Sequence, residues 1–200
     1  MNWSDLIAHT RTYLALAAAA LACGALAGVA LGTLASYVAG ARAPILGLCN
    51  IGRVVPSIAV LTFMLPILGV GFVPAFVALA LLAIAPVAIN TDLGFRSVSP
   101  AAIDAARGLG MSAVQRVMRV EWPLAFPVVF AGIRTAATEV IASAVLAAFI
   151  GAGGLGEYIT TGLQANQPRV LWTGAIAVAV LAFLTELVLA ASGRKWEIAR

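Results

Sequence analysis

The sequence predicts an all-α polytopic membrane protein with five transmembrane helices, and three observations carry that prediction. Of 200 residues, 62% are hydrophobic and only 10% charged, against about 25% charged in ordinary soluble domains. The mean hydropathy of +1.05 exceeds what a soluble fold of this size can bury. Charge is also confined, since residues 12–41 and 54–91 carry none. At roughly 20 apolar residues per span, the chain has room for about five helices. A single transmembrane domain over residues 1–200 is therefore expected.

The same numbers exclude several function classes. The formal charge of +4 and pI near 9.7 come from arginines at the ends of apolar runs. There they read as topology signals, not as a nucleic-acid surface. Cys23 and Cys49 lie in apolar surroundings without CxxC spacing and read as free structural thiols. The only lysine, Lys195, is followed by Trp196, so no GxxxxGK[ST] phosphate loop exists. HExxH and GxSxG are missing too. No catalytic residue, metal site or cofactor is expected on the chain, and energy for uphill movement must enter from a partner chain or an ion gradient.

The first span is expected over residues 14–39. Its start resembles a signal peptide, Arg11 followed by an apolar run from Leu14, but the run outlasts a signal h-region and reads as a retained helix. Gly24, Gly28 and Gly32 fall on one face. Small residues at this spacing let two helix backbones approach, and intramolecular packing is favoured over a dimer seam. The charge-free stretch 54–91 is too long for one helix. It predicts spans at 46–68 and 73–91, separated at Gly69-Val70-Gly71-Phe72-Val73-Pro74. Pro56, Pro66 and Pro86 predict kinks, since proline removes a backbone donor. Spans 124–150 and 171–192 follow, joined by a glycine-rich loop that reads as flexible. Five spans place Arg42, Arg96, Arg107, Arg116, Arg119, Arg194, Lys195 and Arg200 on one side, against Arg11 and Arg169 on the other. By the positive-inside rule the N-terminus is outside and the 92–123 loop and C-terminus are cytoplasmic.

That loop is the one polar stretch of any length. Ser99 reads as an N-cap with Pro100 at the first helical position. Gly108 and Gly110 end that helix, and Ser112 with Gln115 reads as a capping box opening a second. Glu121-Trp122-Pro123 is expected to stop it. The result is a helix–turn–helix at the membrane surface. An interfacial hairpin without a partner is the plain alternative; against it, Ala105, Ala106 and the glycines leave a surface onto which a foreign groove can close.

Asp104-Ala105-Ala106, Gly110 and Val120-Glu121-Trp122-Pro123 resemble, in spacing, the EAA–x3–G–x9–I–x–L–P signature of ABC importer permeases. Asp replaces Glu, Val replaces Ile, and Trp122 replaces Leu and reads as an interfacial anchor. Pro56-Ser57-Ile58-Ala59, Leu65-Pro66-Ile67-Leu68-Gly69, Asn90-Thr91, Ala131-Gly132-Ile133-Arg134 and Phe149-Ile150-Gly151-Ala152-Gly153-Gly154 look like the osmoprotectant branch, which serves glycine betaine, carnitine and choline. The likeness covers residues 45–165. Departures are Arg53-Val54-Val55 before Pro56, and Ile89 and Asp92.

The resemblance implies the five-helix methionine-importer-like permease fold in the inner membrane. It also implies a second permease chain, two cytoplasmic ABC ATPases that hold ATP and Mg, and an extracytoplasmic substrate-binding protein. The coupling element it implies contains Asp104, Ala105, Ala106, Arg107, Gly108, Gly110, Met111, Arg116 and Pro123. Arg53, Pro56, Ser57, Asn90, Thr91 and Glu139 are candidates for the translocation path. Arg53 reads as snorkelling to phosphates or guarding a gate, and Glu139 as lining the path or packing against a helix. Arg134 and Glu139, five apart, do not share a helix face. Arg134 reads as structural, Glu186 as needing a polar partner, and His9 as a surface residue.

The glycines Gly151, Gly153 and Gly156 spell GxGxxG, but no strand surrounds them and a dinucleotide site is excluded. With no aromatic cage for an ammonium group, solute selection is expected in the binding protein. The rivals are a permease for amino acids or another small solute, a gradient-driven carrier or channel, and a membrane enzyme. The last lacks any nucleophile–base or metal-ligand cluster.

Overall fold

Alanine- and glycine-rich faces let three long helices pack almost backbone to backbone. The computed structural model describes residues 3–197, with side chains through Gly193. The helices are α1 (Trp3–Tyr37), α2 (Arg42–Val54), α3 (Ser57–Leu68), α4 (Phe72–Arg96), α5 (Pro100–Gly108), α6 (Ala113–Arg116), α7 (Trp122–Ala144), α8 (Gly156–Gln164) and α9 (Pro168–Glu197). A π-helical segment, Val117–Glu121, joins α6 to α7, and a 3-10 segment, Val145–Ile150, extends α7. Four stretches are long and apolar enough to cross a membrane. The bent pair α2 and α3 makes a fifth if counted as one span. The predicted all-α polytopic class holds.

Several expectations about boundaries need correction. The stretch 46–68 is not one helix but two, meeting at 100°. Proline disfavours helical geometry in the residue before it, and Val55 is extended (φ −72°, ψ 123°), ending α2 at Val54. The third span runs past Thr91 to Arg96, so Asp92 and Arg96 belong to α4 and not to the loop. Asp92 does not end the helix because its charge is paired there (below). Glu121-Trp122-Pro123 does not stop the second hairpin helix either. In an α-helix a proline ring strikes the carbonyl four residues back; for Pro123 that residue is Arg119, which lies in the wider π segment. The chain is thus helical from Ala113 to Ile150. The glycine-rich linker is no featureless loop, since it holds α8. α1 begins at Trp3 and α9 at Pro168, both before their expected starts. Ile198 to Arg200 and the side chains of Arg194 to Glu197, which include three cations of the charge asymmetry (Arg194, Lys195 and Arg200), lie outside the described residues.

α4 lies between α1 and α7 at the centre. A methyl carbon added at Gly24 would lie 2.5 Å from the Ala80 carbonyl oxygen, and one at Gly32 2.5 Å from that of Ala88. At Gly28 it would meet the Val87 side chain at 2.7 Å. The glycine face is therefore an internal seam, as expected. On the other side of α4, Gly132 of α7 leaves no room beside Asn90 and Pro86. Lipid tails are as apolar as these side chains, so the seam is held by close van der Waals contact. Tyr13, buried, donates its hydroxyl to the Ile141 carbonyl just before α7 tightens into the 3-10 segment.

α9 turns Ile176, Phe183 and Val188 outward. It is fastened to α7 by Arg134, whose Nε donates to Glu186 at 2.8 Å. This supplies the polar partner expected for Glu186 and leaves Arg134 and Glu139 unpaired with each other. At the opposite end from the hairpin, His9, expected at the surface, is half-buried. It lies 3.4 Å from the Glu157 carboxylate and edge-on to Tyr158.

Gly28→Leu is expected to lower stability by about 1–3 kcal/mol through overpacking, read as a drop in the unfolding midpoint of the purified protein in detergent. Leu26→Ala, on the exposed side of α1, is expected to stay within about 0.5 kcal/mol.

Candidate functional site

The hairpin turn is built entirely from local hydrogen bonds. Ser99 occupies the N-cap position of α5 with extended backbone, but its side chain makes no capping bond; Pro100 at the first helical position suffices. At the other end Met111 N–H donates to the Ala106 carbonyl (3.2 Å) and Gly110 N–H to that of Arg107 (2.9 Å). This is a Schellman stop, which needs a left-handed residue, and Gly110 has φ 74°. Ser112 Oγ accepts from Gln115 N–H at 3.3 Å, and Gln115 Oε1 accepts from Ser112 N–H at 3.0 Å. The expected capping box is present.

The tip of this turn is bare. Asp104, Ala105, Arg107, Gly108 and Gly110 are exposed, Met111 and Arg116 are half-buried, and Ala106 alone of the group is buried. A methyl carbon at Gly108 or Gly110 would meet nothing within 4 Å. Leu109, Val114 and Met118 are exposed apolar side chains on the same hairpin, and Asp104 pairs with Arg107 at 3.2 Å. Small backbone-exposing residues, apolar knobs and one charge pair thus share a surface.

The base of the hairpin is clamped, in contrast. Glu121 is 4% exposed. It accepts from Arg116 Nε at 2.6 Å and from the hydroxyl of Tyr37 at the end of α1. Arg116 and Glu121 are five apart, and the π segment between them, with its i→i+5 bonding, brings such residues onto one face. Phe95 of α4 stands edge-on to Tyr37 and against Trp122, with centroids 5.3 and 5.7 Å away. Trp122, half-buried, packs against Phe95 and Phe126 in this aromatic cluster. Nearby, Asp92 is 2% exposed and accepts from Arg42 Nε at 3.1 Å and Ser36 Oγ at 3.3 Å. Arg42 thereby ties the α1–α2 turn to α4. Sequence reading missed the role of Tyr37, whose partner lies far along the chain and has no local signal.

The path candidates divide. Arg53, Pro56, Ser57 and Glu139 line one cleft of about 360 Å³ at the break between α2 and α3, with Ser143 of α7. Asn90 and Thr91 do not reach it. Thr91 is fully buried against Gly32 and donates to the Val87 carbonyl at 2.7 Å. Asn90 Nδ2 donates to the Pro86 carbonyl at 2.8 Å beside Gly132. Both side chains are held by carbonyls of the central helix itself. Among the described residues, no group of three or more His, Cys, Asp or Glu is placed to hold a metal.

The family of binding-protein-dependent transport system inner membrane components matches residues 10–198. The chain belongs to that family. The permease is 40% identical to the choline transport system permease protein OpuBB of Bacillus subtilis (strain 168), over 97% of this chain and 89% of that one. It is 38% identical, over the same shares, to the glycine betaine/carnitine/choline transport system permease protein OpuCB of that strain. To the osmoprotectant import permease protein OsmW of Salmonella typhimurium it is 36% identical, over 94% of this chain and 90% of that one. It is thus an ABC importer permease of the osmoprotectant branch, a transport subunit that crosses the inner membrane several times. Its fold matches a chain of the inward-facing MetNI methionine ABC transporter with TM-score 0.85 at 22% identity, over 98% and 99% of the two chains. The methionine-importer-like fold is the one the motifs implied.

Removing one member of a buried ion pair strands the other, which costs about 3–5 kcal/mol. Glu121→Ala in this permease is expected to destabilise by that amount in a detergent unfolding titration. Tyr37→Phe removes one hydrogen bond to a carboxylate and is expected to cost about 1.5–3 kcal/mol.

Proposed function

We propose that this permease carries quaternary ammonium osmoprotectants (glycine betaine, choline or carnitine) into the cell. It works as one of a pair of permease chains, with two ABC ATPases docked on the hairpins and an extracytoplasmic binding protein delivering solute. Full-length similarity to permeases named for those solutes supports the substrate class. The observation that carries the coupling mechanism is the contrast within the hairpin, bare at its glycine tip and clamped at its base by Glu121.

The mechanism follows from that contrast. ATP-driven closure of the ATPases pushes on Asp104 to Arg119. The tip presents Asp104, Ala105, Arg107, Gly108 and Gly110 to the partner's groove, while Ala106 faces inward and Met111, Arg116 and Pro123 form the stem. Because Arg116 and Glu121 lock the stem to Tyr37, and α6 continues into α7, a push on the tip moves whole helices. The movement is a shear-type switch between two packings. Lys/Arg bias places the hairpin in the cytoplasm and the N-terminus outside. Apolar side chains exposed on α2 and α3, including Leu48, Ile51, Ile58 and Phe63, are suited to face the second permease chain. High-affinity solute selection lies with the binding protein.

In proteoliposomes containing the complete importer, the wild type is expected to take up glycine betaine, choline or carnitine only with ATP. Gly110→Trp and Asp104→Arg are expected to insert normally yet lose ATPase association or uncouple hydrolysis from uptake. Undiminished ATP-driven uptake by both variants would refute the docking. A cysteine at Leu109 is expected to react with an impermeant thiol reagent only from the cytoplasmic side.

A further inference from the structure

The cleft at the α2–α3 break holds charge of both signs and no aromatic ring. Its volume, about 360 Å³, is within the range of small-molecule sites. Glu139 is half-buried in its wall on α7 and makes no hydrogen bond or ion pair among the described residues. Arg53 lines the same cleft from the last turn of α2. α3 starts in the cleft at Ser57, with Pro56 at its N-cap and no side chain capping its first amides. That end of a helix carries partial positive charge. Ser57 and Ser143 add hydroxyls on either side.

We propose that this cleft is a low-affinity transit site for zwitterions, in which Glu139 faces the quaternary ammonium and Arg53, with the amino end of α3, faces the carboxylate. The inference rests on the osmoprotectant reading above and adds that the permease itself discriminates by charge type. A quaternary ammonium has no N–H to donate, so its cost of leaving solvent is offset by a nearby negative charge or an aromatic face, and this cleft offers the charge. A betaine carries a carboxylate as well, which needs a donor or positive charge of its own. A span lined only with alkyl groups offers neither, and this cleft offers both. Choline, a cation without a carboxylate, matches Glu139 but leaves Arg53 without a counterpart and meets its repulsion. Because no ring faces the cleft, the cation–π contribution that makes ammonium sites tight is missing. A solute is therefore held briefly and released, as a path requires.

The test is ATP-driven uptake of radiolabelled glycine betaine and choline, assayed separately with the complete importer in proteoliposomes. Glu139→Gln is expected to lower uptake of both solutes about tenfold or more, and Glu139→Asp to restore much of it. Arg53→Gln is expected to lower the betaine-to-choline uptake ratio by roughly fivefold or more, since only the betaine loses a partner. Arg53 is exposed, so this variant decides the question even if the Glu139 variants fold poorly. Wild-type uptake with an unchanged ratio in Arg53→Gln overturns the site while leaving the osmoprotectant reading intact. Failure of the wild type to move either solute overturns that reading, and the site with it.

Discussion

The structure depends on how closely α1 lies on α4. At Gly24, Gly28 and Gly32 there is no space for a single added carbon, and this proximity fixes what stands above and below the seam. It brings Ser36 and the Arg42 turn to Asp92, seals Thr91 inside, and sets Tyr37 against Phe95, where its hydroxyl reaches Glu121. Two carboxylates can be buried at the edge of an apolar bundle only because donors from α1 and the turn after it are held at fixed positions. Burying a charge without such partners is prohibitively costly. The polar anchoring of the hairpin therefore follows from an apolar contact several turns away.

α7 connects the hairpin and the cleft proposed above as functional sites. Its stem leaves the hairpin at Glu121, and Glu139 faces the cleft about 27 Å further on at 1.5 Å per residue. No break interrupts the helix between them. The α2–α3 elbow forms the opposite wall of the cleft, so motion of α7 against that elbow changes the distance between Glu139 and Arg53 directly.

Much of this was legible in the chain, for reasons that differ by element. Composition and charge-free runs establish the class because a bilayer forces backbone groups to pair internally. The Ser112–Gln115 box and the Gly110 stop are local chemistry and are found where the residues predict. The glycine seam is legible as a face, though its partner helix is not. The failures have tertiary and local causes, a distant partner in one case and backbone geometry around a proline in others. Asp92 reads as the start of a loop until Arg42 is brought to it, and Glu121-Trp122-Pro123 reads as a stop until a π turn makes room. Two pairs five residues apart illustrate the limit. Arg116 and Glu121 meet because the helix between them is wider than α, whereas Arg134 and Glu139 diverge on an ordinary α-helix and Arg134 pairs with Glu186 instead. Asn90 and Thr91, polar residues in an apolar run, carry a signal for a path, and both hydrogen-bond within their own helix.

The elbow at Val55 and Pro56 has one more consequence. A helix that ends leaves up to four carbonyls unpaired, and one that begins leaves up to four amides. Here both sets fall at one elbow flanked by exposed residues, and hydrocarbon can satisfy neither. Wherever this bend lies at membrane depth it has to border protein or water and not hydrocarbon, so a single proline also dictates which side of the elbow lipid is kept from.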